Sequence, residues 1–151
     1  MKESSFVVEV SASIPAPAAK VYALMRDYNP EGHPSVLPKQ YFTDLRIVKG
    51  GVGAGTIIDV DMKNGGTKTT MRLEVTEPAP NKLLVEEDKA MGVLTHFIFE
   101  DAADGTSRLT FKTWFRRKPG FRGWVEKLIV PGITRKVYRE ELGLVAKRFG
   151  G

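Results

Sequence analysis

Glu87 is the first residue whose type and position could support chemistry. It lies near the end of the strand-like segment Leu83–Asp88. If Leu83 and Val85 face the interior, Glu87 faces it as well, because residues two apart share one face of a strand. A partly buried carboxylate there can anchor a polar ligand group or act as a base, whereas a solvated strand end has no such role. Glu87 is therefore a candidate catalytic residue.

His96 is the second candidate for acid–base chemistry, and it lies in the strand-like segment Val93–Glu100. If Phe97 and Phe99 face the interior, His96 faces outward. A shift of one residue in the register reverses this and brings the imidazole inside, where it could move protons. The sequence leaves both registers open.

Patterns typical of metal, cofactor and hydrolase sites are absent from the sequence. The only histidines are His33 and His96, they lack the paired spacing of a zinc ligand set, and the chain has no cysteine. The glycines of Gly51–Gly55 lead into a strand-like segment, which favours a flexible hairpin over a dinucleotide-binding loop. No Gly-x-Ser-x-Gly motif occurs. We therefore predict no metal site and no cofactor.

Composition indicates an ordinary globular protein. The 151 residues are 42% apolar and 27% charged, which is typical of a single domain, expected here over residues 1–151. The sequence has no run of about 18 apolar residues, the length needed to span a membrane. It also lacks the unbroken apolar region of a signal peptide, so none is expected. The lack of cysteine also fits a reducing compartment, so we expect a cytoplasmic location. The oligomeric state is not predicted.

The positive charge is concentrated in the C-terminal quarter. The chain carries +5 overall, yet residues 112–151 hold 11 Lys/Arg against 3 Asp/Glu. Within this region, aromatic residues are mixed with the cations Arg116, Arg117, Lys118 and Arg122. Three interpretations stay open: a solvated loop, a surface that docks on an anionic membrane, and a nucleic-acid site. Nucleic acid is the least favoured, because no RNA-binding aromatic signature accompanies the cations.

The elements that must position these side chains follow a simple order. A helix is predicted over Ala18–Tyr28, after Pro15 and Pro17, and a second short helix or turn over Ser35–Lys39. The connections between strand-like segments are too short for crossover helices, so the sheet is expected to be antiparallel and the fold α+β. The predicted strands are Phe6–Ile14, Tyr41–Lys49, Thr56–Lys63, Thr67–Thr76, Leu83–Asp88, Val93–Glu100 and Ser107–Arg116.

The chain closes on a long amphipathic stretch, Phe121–Phe149. Beyond Pro131, one stripe at helical spacing contains Tyr138, Leu142 and Val145. A proline inside a helix removes a hydrogen bond and clashes with the preceding turn, so a kink or break is expected at Pro131.

The order of these elements resembles the START-like superfamily, also called SRPBCC, which includes polyketide cyclase/dehydrase-like, lipid-transfer and pollen-allergen-like proteins. The segments that carry the resemblance are Ser13–Met25, Gly53–Thr56, Glu77–Leu83, Phe99–Asp101 with Asp104–Phe111, and the long C-terminal helix. The resemblance spans nearly the whole chain. It implies a helix-grip fold: a curved seven-stranded antiparallel sheet around the last helix, with an apolar cavity between them and two short N-terminal helices.

This fold and the periodicity together predict a set of apolar residues that line the cavity and bind the ligand. The alternative is that they fill a solid core. The predicted lining residues are Val60, Met62, Met71, Leu73, Phe97, Phe99, Leu109, Phe111, Ile129, Ile133 and Val137.

Three functions remain open, because members of the superfamily bind, transfer, cyclise or sense ligands. We favour a non-catalytic binder or carrier of a small hydrophobic molecule, such as a lipid or polyketide-like compound. An enzyme of the cyclase/dehydratase type ranks second, since no convincing acid–base pair is visible. A module that docks on anionic membranes through the basic region ranks third.

Overall fold

The computed structural model describes residues 5–64, 66–116 and 131–151. Seven strands and two helices occupy these residues. The strands are β1 (Ser5–Ile14), β2 (Phe42–Lys49), β3 (Ile57–Asn64), β4 (Thr67–Ala79), β5 (Leu83–Asp88), β6 (Val93–Asp101) and β7 (Ser107–Arg116); the helices are α1 (Ala18–Met25) and α2 (Pro131–Arg148).

The strands form one antiparallel sheet in the order β1-β7-β6-β5-β4-β3-β2. Strands β2 to β7 pair in the order in which they follow one another along the chain. The last strand, β7, also pairs with β1. The antiparallel sheet of seven strands is therefore confirmed. Its curved shape and the helix at the C-terminal end fit the helix-grip fold.

The N-terminal region holds one helix and a 3₁₀ turn rather than two helices. α1 begins directly after Pro17, and the Asp101 carboxylate accepts a hydrogen bond from the Ala18 N–H at 2.9 Å. The helix ends at Met25, earlier than predicted. The 3₁₀ turn covers His33–Val36, where the proline at its start sets a short turn and restricts the residue before it.

β4 is longer than the sequence indicates. It continues through Pro78 to Ala79, where a turn was expected, and its pairing with β5 is irregular between Thr76 and Ala79. A proline cannot donate to the ladder, and a bulge is one of the few places where a strand tolerates it.

The main core lies between one face of the sheet and the helices. Val21, Met25, Leu142 and Val145 are fully or almost fully buried there. α2 packs against β1 and the 3₁₀ turn. The described part of this helix begins at Pro131, the position at which the sequence predicts a kink or break. The preceding residues, 117–130, lie outside the described residues, so the kink stays a prediction.

Candidate functional site

An apolar cavity of about 110 Å³ lies between the sheet and α2. Most of its wall is aliphatic or aromatic, and polar side chains contribute at a few points. The apolar lining residues are Leu37, Phe42, Leu45, Ile58, Val60, Met62, Met71, Leu73, Val93, Phe97, Phe115, Ile133 and Val137. The polar ones are Tyr28, His33, Glu86, Thr95, Thr134, Tyr138 and Glu141.

Seven of the residues predicted from the sequence line this cavity. They are Val60, Met62, Met71, Leu73, Phe97, Ile133 and Val137. Whether they bind a ligand stays a prediction.

Three further predicted residues are buried in the core and are not among the described lining residues. Phe99 packs edge-on against Tyr22 of α1, with ring centroids 5.0 Å apart. Phe111 is enclosed by Phe97 and Tyr138, and Leu109 is fully buried. All three lie in the main core, on the same face of the sheet as Phe97. Ile129 lies outside the described residues.

His96 lies on the face of the sheet opposite the cavity. Its imidazole contacts the Trp114 ring edge-on, with centroids 4.7 Å apart. Partial burial and the nearby Lys112 charge lower the pKa of His96. This is the register in which Phe97 and Phe99 face the interior, so the structure does not bring His96 to the cavity.

Glu87 also faces away from the cavity, contrary to the register in which Leu83 points inward. Leu84 pairs with Phe97 across the β5–β6 ladder, and Glu86 pairs with Thr95. Phe97 and Thr95 both line the cavity, so Leu84 and Glu86 share that face and Glu87 has the opposite one. The carboxyl group that β5 contributes to the cavity wall is that of Glu86, one residue earlier in the chain.

Glu86 belongs to a cluster of four polar side chains at the cavity wall. Tyr28 donates its hydroxyl to Glu86 Oε2 at 2.6 Å. His33 Nδ1 lies 3.8 Å from the same oxygen, and His33 Nε2 lies 3.1 Å from Glu141 Oε2. All four side chains are buried, and none of them is among the candidate catalytic residues predicted from the sequence. Three distant segments and α2 therefore meet at one polar patch, which we call the cavity cluster (Tyr28, His33, Glu86, Glu141).

The hydrogen bonds of His33 constrain where its protons lie. Nδ1 is 2.9 Å from the Met25 carbonyl oxygen, which can only accept, so Nδ1 carries a proton. Nε2 then either donates to the Glu141 carboxylate as part of an imidazolium or accepts from a protonated Glu141. In both cases the His33–Glu141 contact holds one shared proton inside the protein.

Burial and neighbouring charges change the pKa values of the cluster. Burial raises the pKa of Glu86, and the nearby His33 and the Tyr28 hydroxyl offset this only in part. Burial lowers the pKa of His33, but the hydrogen bond to Glu141 and the charge of Glu86 raise it by more, so the net shift is upward. The Tyr28 pKa is raised well above its ordinary value by burial and by Glu86, so its hydroxyl stays protonated. The cluster thus retains protons close to an apolar space.

Local backbone contacts fix His33 in place. The His33 N–H donates to the Asp27 carbonyl oxygen at 2.6 Å. An added Cβ at Gly32 would lie 2.7 Å from the Asp27 Cβ and would meet the Asp27 carbonyl oxygen as well. Only glycine allows the chain to pass this close, so Gly32 keeps the imidazole beneath α2.

α2 presents two adjacent rows of side chains to the cavity. Ile133, Val137 and Glu141 follow at intervals of four residues, and Thr134 and Tyr138 form the neighbouring row. The Tyr138 hydroxyl lies 2.6 Å from Thr113 Oγ1. Burial raises the pKa of Tyr138 to about 12, against the lowering effect of the Thr113 hydroxyl. The helix therefore supplies apolar side chains, hydroxyl groups and one carboxyl group to the wall.

The predicted basic surface is described only at Arg116, which is exposed at the end of β7. Arg117, Lys118 and Arg122 lie outside the described residues, so an anionic-membrane surface stays a prediction. Within the described parts of the chain, no helix is long and apolar enough to cross a membrane. No group of three or more His, Asp or Glu side chains there is placed to hold a metal ion.

Solved structures show the same fold. KanY protein is 23% identical, with 97% of this chain and 99% of that chain covered and a TM-score of 0.82. Norcoclaurine synthase from Thalictrum flavum, solved with dopamine and hydroxybenzaldehyde, is 18% identical, with 97% and 90% covered and a TM-score of 0.66. The Zhui aromatase/cyclase from Streptomyces sp. R1128 is 14% identical, with 95% and 93% covered and a TM-score of 0.72. At these identities, the likeness is one of fold.

No protein with curated annotation matches the chain. Residues 5–150 do match the family described as polyketide cyclase / dehydrase and lipid transport, which is part of the START-like superfamily. The match covers nearly the full length, in agreement with the sheet, the C-terminal helix and the cavity between them. This chain therefore belongs to the polyketide cyclase/dehydrase and lipid transport family.

Proposed function

We propose that this protein binds a small hydrophobic ligand in the cavity between the sheet and α2. The observation that carries the proposal is the mainly apolar wall around the cavity of about 110 Å³. Moving apolar surface out of water stabilises a complex by roughly 25 cal/mol per Å², before ordering costs are subtracted. The family description, which includes both lipid transport and polyketide cyclases, supports a hydrophobic ligand.

The cavity volume suits a compact group such as a single ring. An apolar cavity of about 150 Å³ in another protein binds benzene. Met62 and Met71 in the wall have flexible, polarizable side chains that adapt to different ligand shapes. A ring lying against them would have the cavity cluster at the same wall, where Glu86 or Tyr28 could fix a polar substituent by a hydrogen bond.

A filling substitution tests the proposal. Val137→Phe adds a ring to the α2 face that lines the cavity, and we expect it to reduce the affinity for benzene at least tenfold by occupying the space. Leu144→Phe is the matched control, because Leu144 lies on the same helix and is 37% exposed. Titration calorimetry with benzene measures both, and thermal unfolding without ligand confirms that each variant folds. Unchanged benzene affinity in a folded Val137→Phe protein would contradict the proposal.

Catalysis of the cyclase/dehydratase type is the second candidate, and the cavity cluster is the observation that favours it. Glu86 is a buried carboxyl with a raised pKa, and His33 is a buried imidazole within 3.8 Å of it. Groups whose environments shift their pKa values toward neutrality are suited to proton transfer. The structural relatives that are enzymes agree with this candidate at the level of fold alone.

A further inference from the structure

A second hollow lies on the other side of one cavity wall. It has a volume of about 340 Å³ and lies between the loop 30–39 and strand β2. Tyr28, Leu37, Phe42 and Leu45 line both this hollow and the cavity. We call it the β2 groove, and these shared side chains are the partition between the two spaces.

We propose that the cavity and the β2 groove form one site for an elongated ligand, with a compact ring in the cavity and an unbranched apolar chain in the groove. This inference rests on the proposed function, because it extends the same ligand site. The cavity alone, at about 110 Å³, is smaller than the roughly 300–1,000 Å³ of typical ligand pockets. The groove supplies the missing volume at a wall that the two spaces share.

Two side chains of the partition, Phe42 and Leu45, can move without unpairing the sheet. Phe42 pairs with Met62 and Leu45 with Val60, so the β2 backbone at these points is held by β3. Both side chains are only partly buried, and the register is irregular between Phe42 and Asp44. Bulges re-aim side chains, and rotamer changes of partly exposed residues are fast. A passage can therefore open by rotation of Phe42 and Leu45.

The chemistry of the groove favours an uncharged chain. Pro30, Pro34 and Ile47 contribute apolar surface. The two charged lining residues have partners: Lys39 Nζ donates to the Pro34 carbonyl oxygen at 3.1 Å, and Asp44 accepts from Arg46 at 2.7 Å. A charged ligand segment would compete with these contacts, whereas a methylene chain would cover apolar surface that is now in water.

Strand β2 offers a matched pair of substitutions. Ile47 is 39% exposed and lines the groove, while Val48 is 48% exposed and is not among the described lining residues of either space. The β2–β3 register is irregular between Ile47 and Lys49, so the position of Val48 outside the groove rests on the lining residues of the two spaces and not on strand alternation. Ile47→Glu therefore places a charge in the groove, and Val48→Glu places the same charge on the same strand outside it.

A chain-length series tests the inference. Titration calorimetry with n-alkylbenzenes, from benzene to n-pentylbenzene, measures how affinity changes with each methylene. We expect the wild-type affinity to rise by up to about fourfold per methylene, the value for full burial. In Ile47→Glu the rise should be at most half as steep per methylene while benzene affinity stays unchanged. Val48→Glu should match the wild type.

The remaining outcomes distinguish failure of the proposed function from failure of the elongated site. Failure of benzene itself to bind would contradict the proposed function. Benzene binding with no gain beyond ethylbenzene would overturn the elongated site and leave the cavity proposal intact. The inference is also overturned if Ile47→Glu keeps the wild-type gain per methylene, or if Val48→Glu loses it equally.

Discussion

Glu86 is the residue at which binding and catalysis make different demands on the structure. As a binding group it needs only to accept or donate one hydrogen bond to a ligand. As a general base it must lose its proton near neutral pH, and burial raises its pKa from the ordinary value of 4.5 toward that range. The raised pKa also makes the carboxylate a stronger base once it is ionised.

A carbon-acid probe measures this capacity without knowledge of the natural ligand. In 5-nitrobenzisoxazole a base removes the C3 proton, the N–O bond breaks, and its electrons end on the oxygen of a coloured 2-cyano-4-nitrophenolate. If Glu86 acts as a base, the wild type should be at least about 10²-fold faster than Glu86→Gln. The rate should increase as pH rises through the Glu86 pKa, above 4.5, because only the carboxylate accepts the proton.

Glu87→Gln is the control for this measurement, since Glu87 is adjacent in sequence and faces away from the cavity. Its rate should equal that of the wild type. Equal rates for wild type and Glu86→Gln would argue against a catalytic Glu86 and leave ligand binding as the role of the cavity.

The register of β5 explains why the sequence pointed to Glu87, and not to Glu86, as the carboxyl group that faces the interior. Leu83, Leu84 and Val85 are all apolar, so alternation cannot say which face is inside, and two glutamates follow directly. Only the pairing of Leu84 with Phe97 decides it, and that contact depends on the neighbouring strand. The periodicity of β6 was more informative, because Phe97 and Phe99 alternate with polar His96.

At the scale of elements, one ion pair joins α1 to the turn before β3 and to β4. Arg26 Nε donates to Glu77 Oε2 at 2.8 Å, and the Tyr22 hydroxyl donates to the same oxygen at 2.6 Å. The Ala54 N–H donates to Glu77 Oε1 at 2.7 Å. The Arg26 hydrogen bond, opposed by burial and aided by Tyr22, lowers the pKa of Glu77 to about 2. The carboxylate therefore remains charged and holds three segments together.

Two glycines in that turn allow a matched test. Gly53 and Gly55 both have positive φ, +70° and +90°, so alanine at either costs about 1–2 kcal/mol of backbone strain. A Cβ at Gly53 would also meet Arg26 Nη2 and Glu77 Oε1, whereas a Cβ at Gly55 meets nothing within 4 Å. We expect Gly53→Ala to lower the free energy of unfolding by about 1.5 kcal/mol more than Gly55→Ala does, because it disrupts charged hydrogen bonds.

Urea unfolding of Gly53→Ala and Gly55→Ala measures this difference directly. Equal losses of stability in the two variants would mean that the Arg26–Glu77 junction adjusts to the methyl group without cost. The excess at Gly53 should become smaller in an Arg26→Ala background, where the guanidinium that the methyl group would displace is absent and only the contact with Glu77 Oε1 remains.

Elements with strong local signals were predicted well, and those set by tertiary contacts were not. The strands on either side of Asn64, and those on either side of Asp104, are separated by turn residues that can be recognised in the sequence. The end of α1 at Met25 and the 3₁₀ turn at His33 depend on contacts with distant groups, such as the hydrogen bond from the Tyr28 N–H to the Gly51 carbonyl oxygen. Propensity within one segment cannot report such contacts.

At the scale of the whole molecule, the cavity cluster combines residues that are far apart in the chain. His33 and Glu141 are separated by 108 positions, and Tyr28 and Glu86 by 58. The apolar wall was accessible to sequence analysis because strands and helix each repeat an apolar residue at a fixed interval. The cluster has no repeat and no motif, and its members stand in a loop, a turn, a strand and a helix.

Entry of a ring-sized apolar ligand into the cavity is detected most directly by the methyl groups of the methionines. In ¹³C-methyl-methionine-labelled protein, Met62 and Met71 line the cavity, while Met25 is fully buried in the core and is not among the described lining residues. On titration with toluene, we predict that the Met62 and Met71 methyl resonances shift through the ring current and that Met25 does not. Unchanged Met62 and Met71 resonances at saturating toluene, or equal shifts at all of the chain's 5 methionines, would contradict the account.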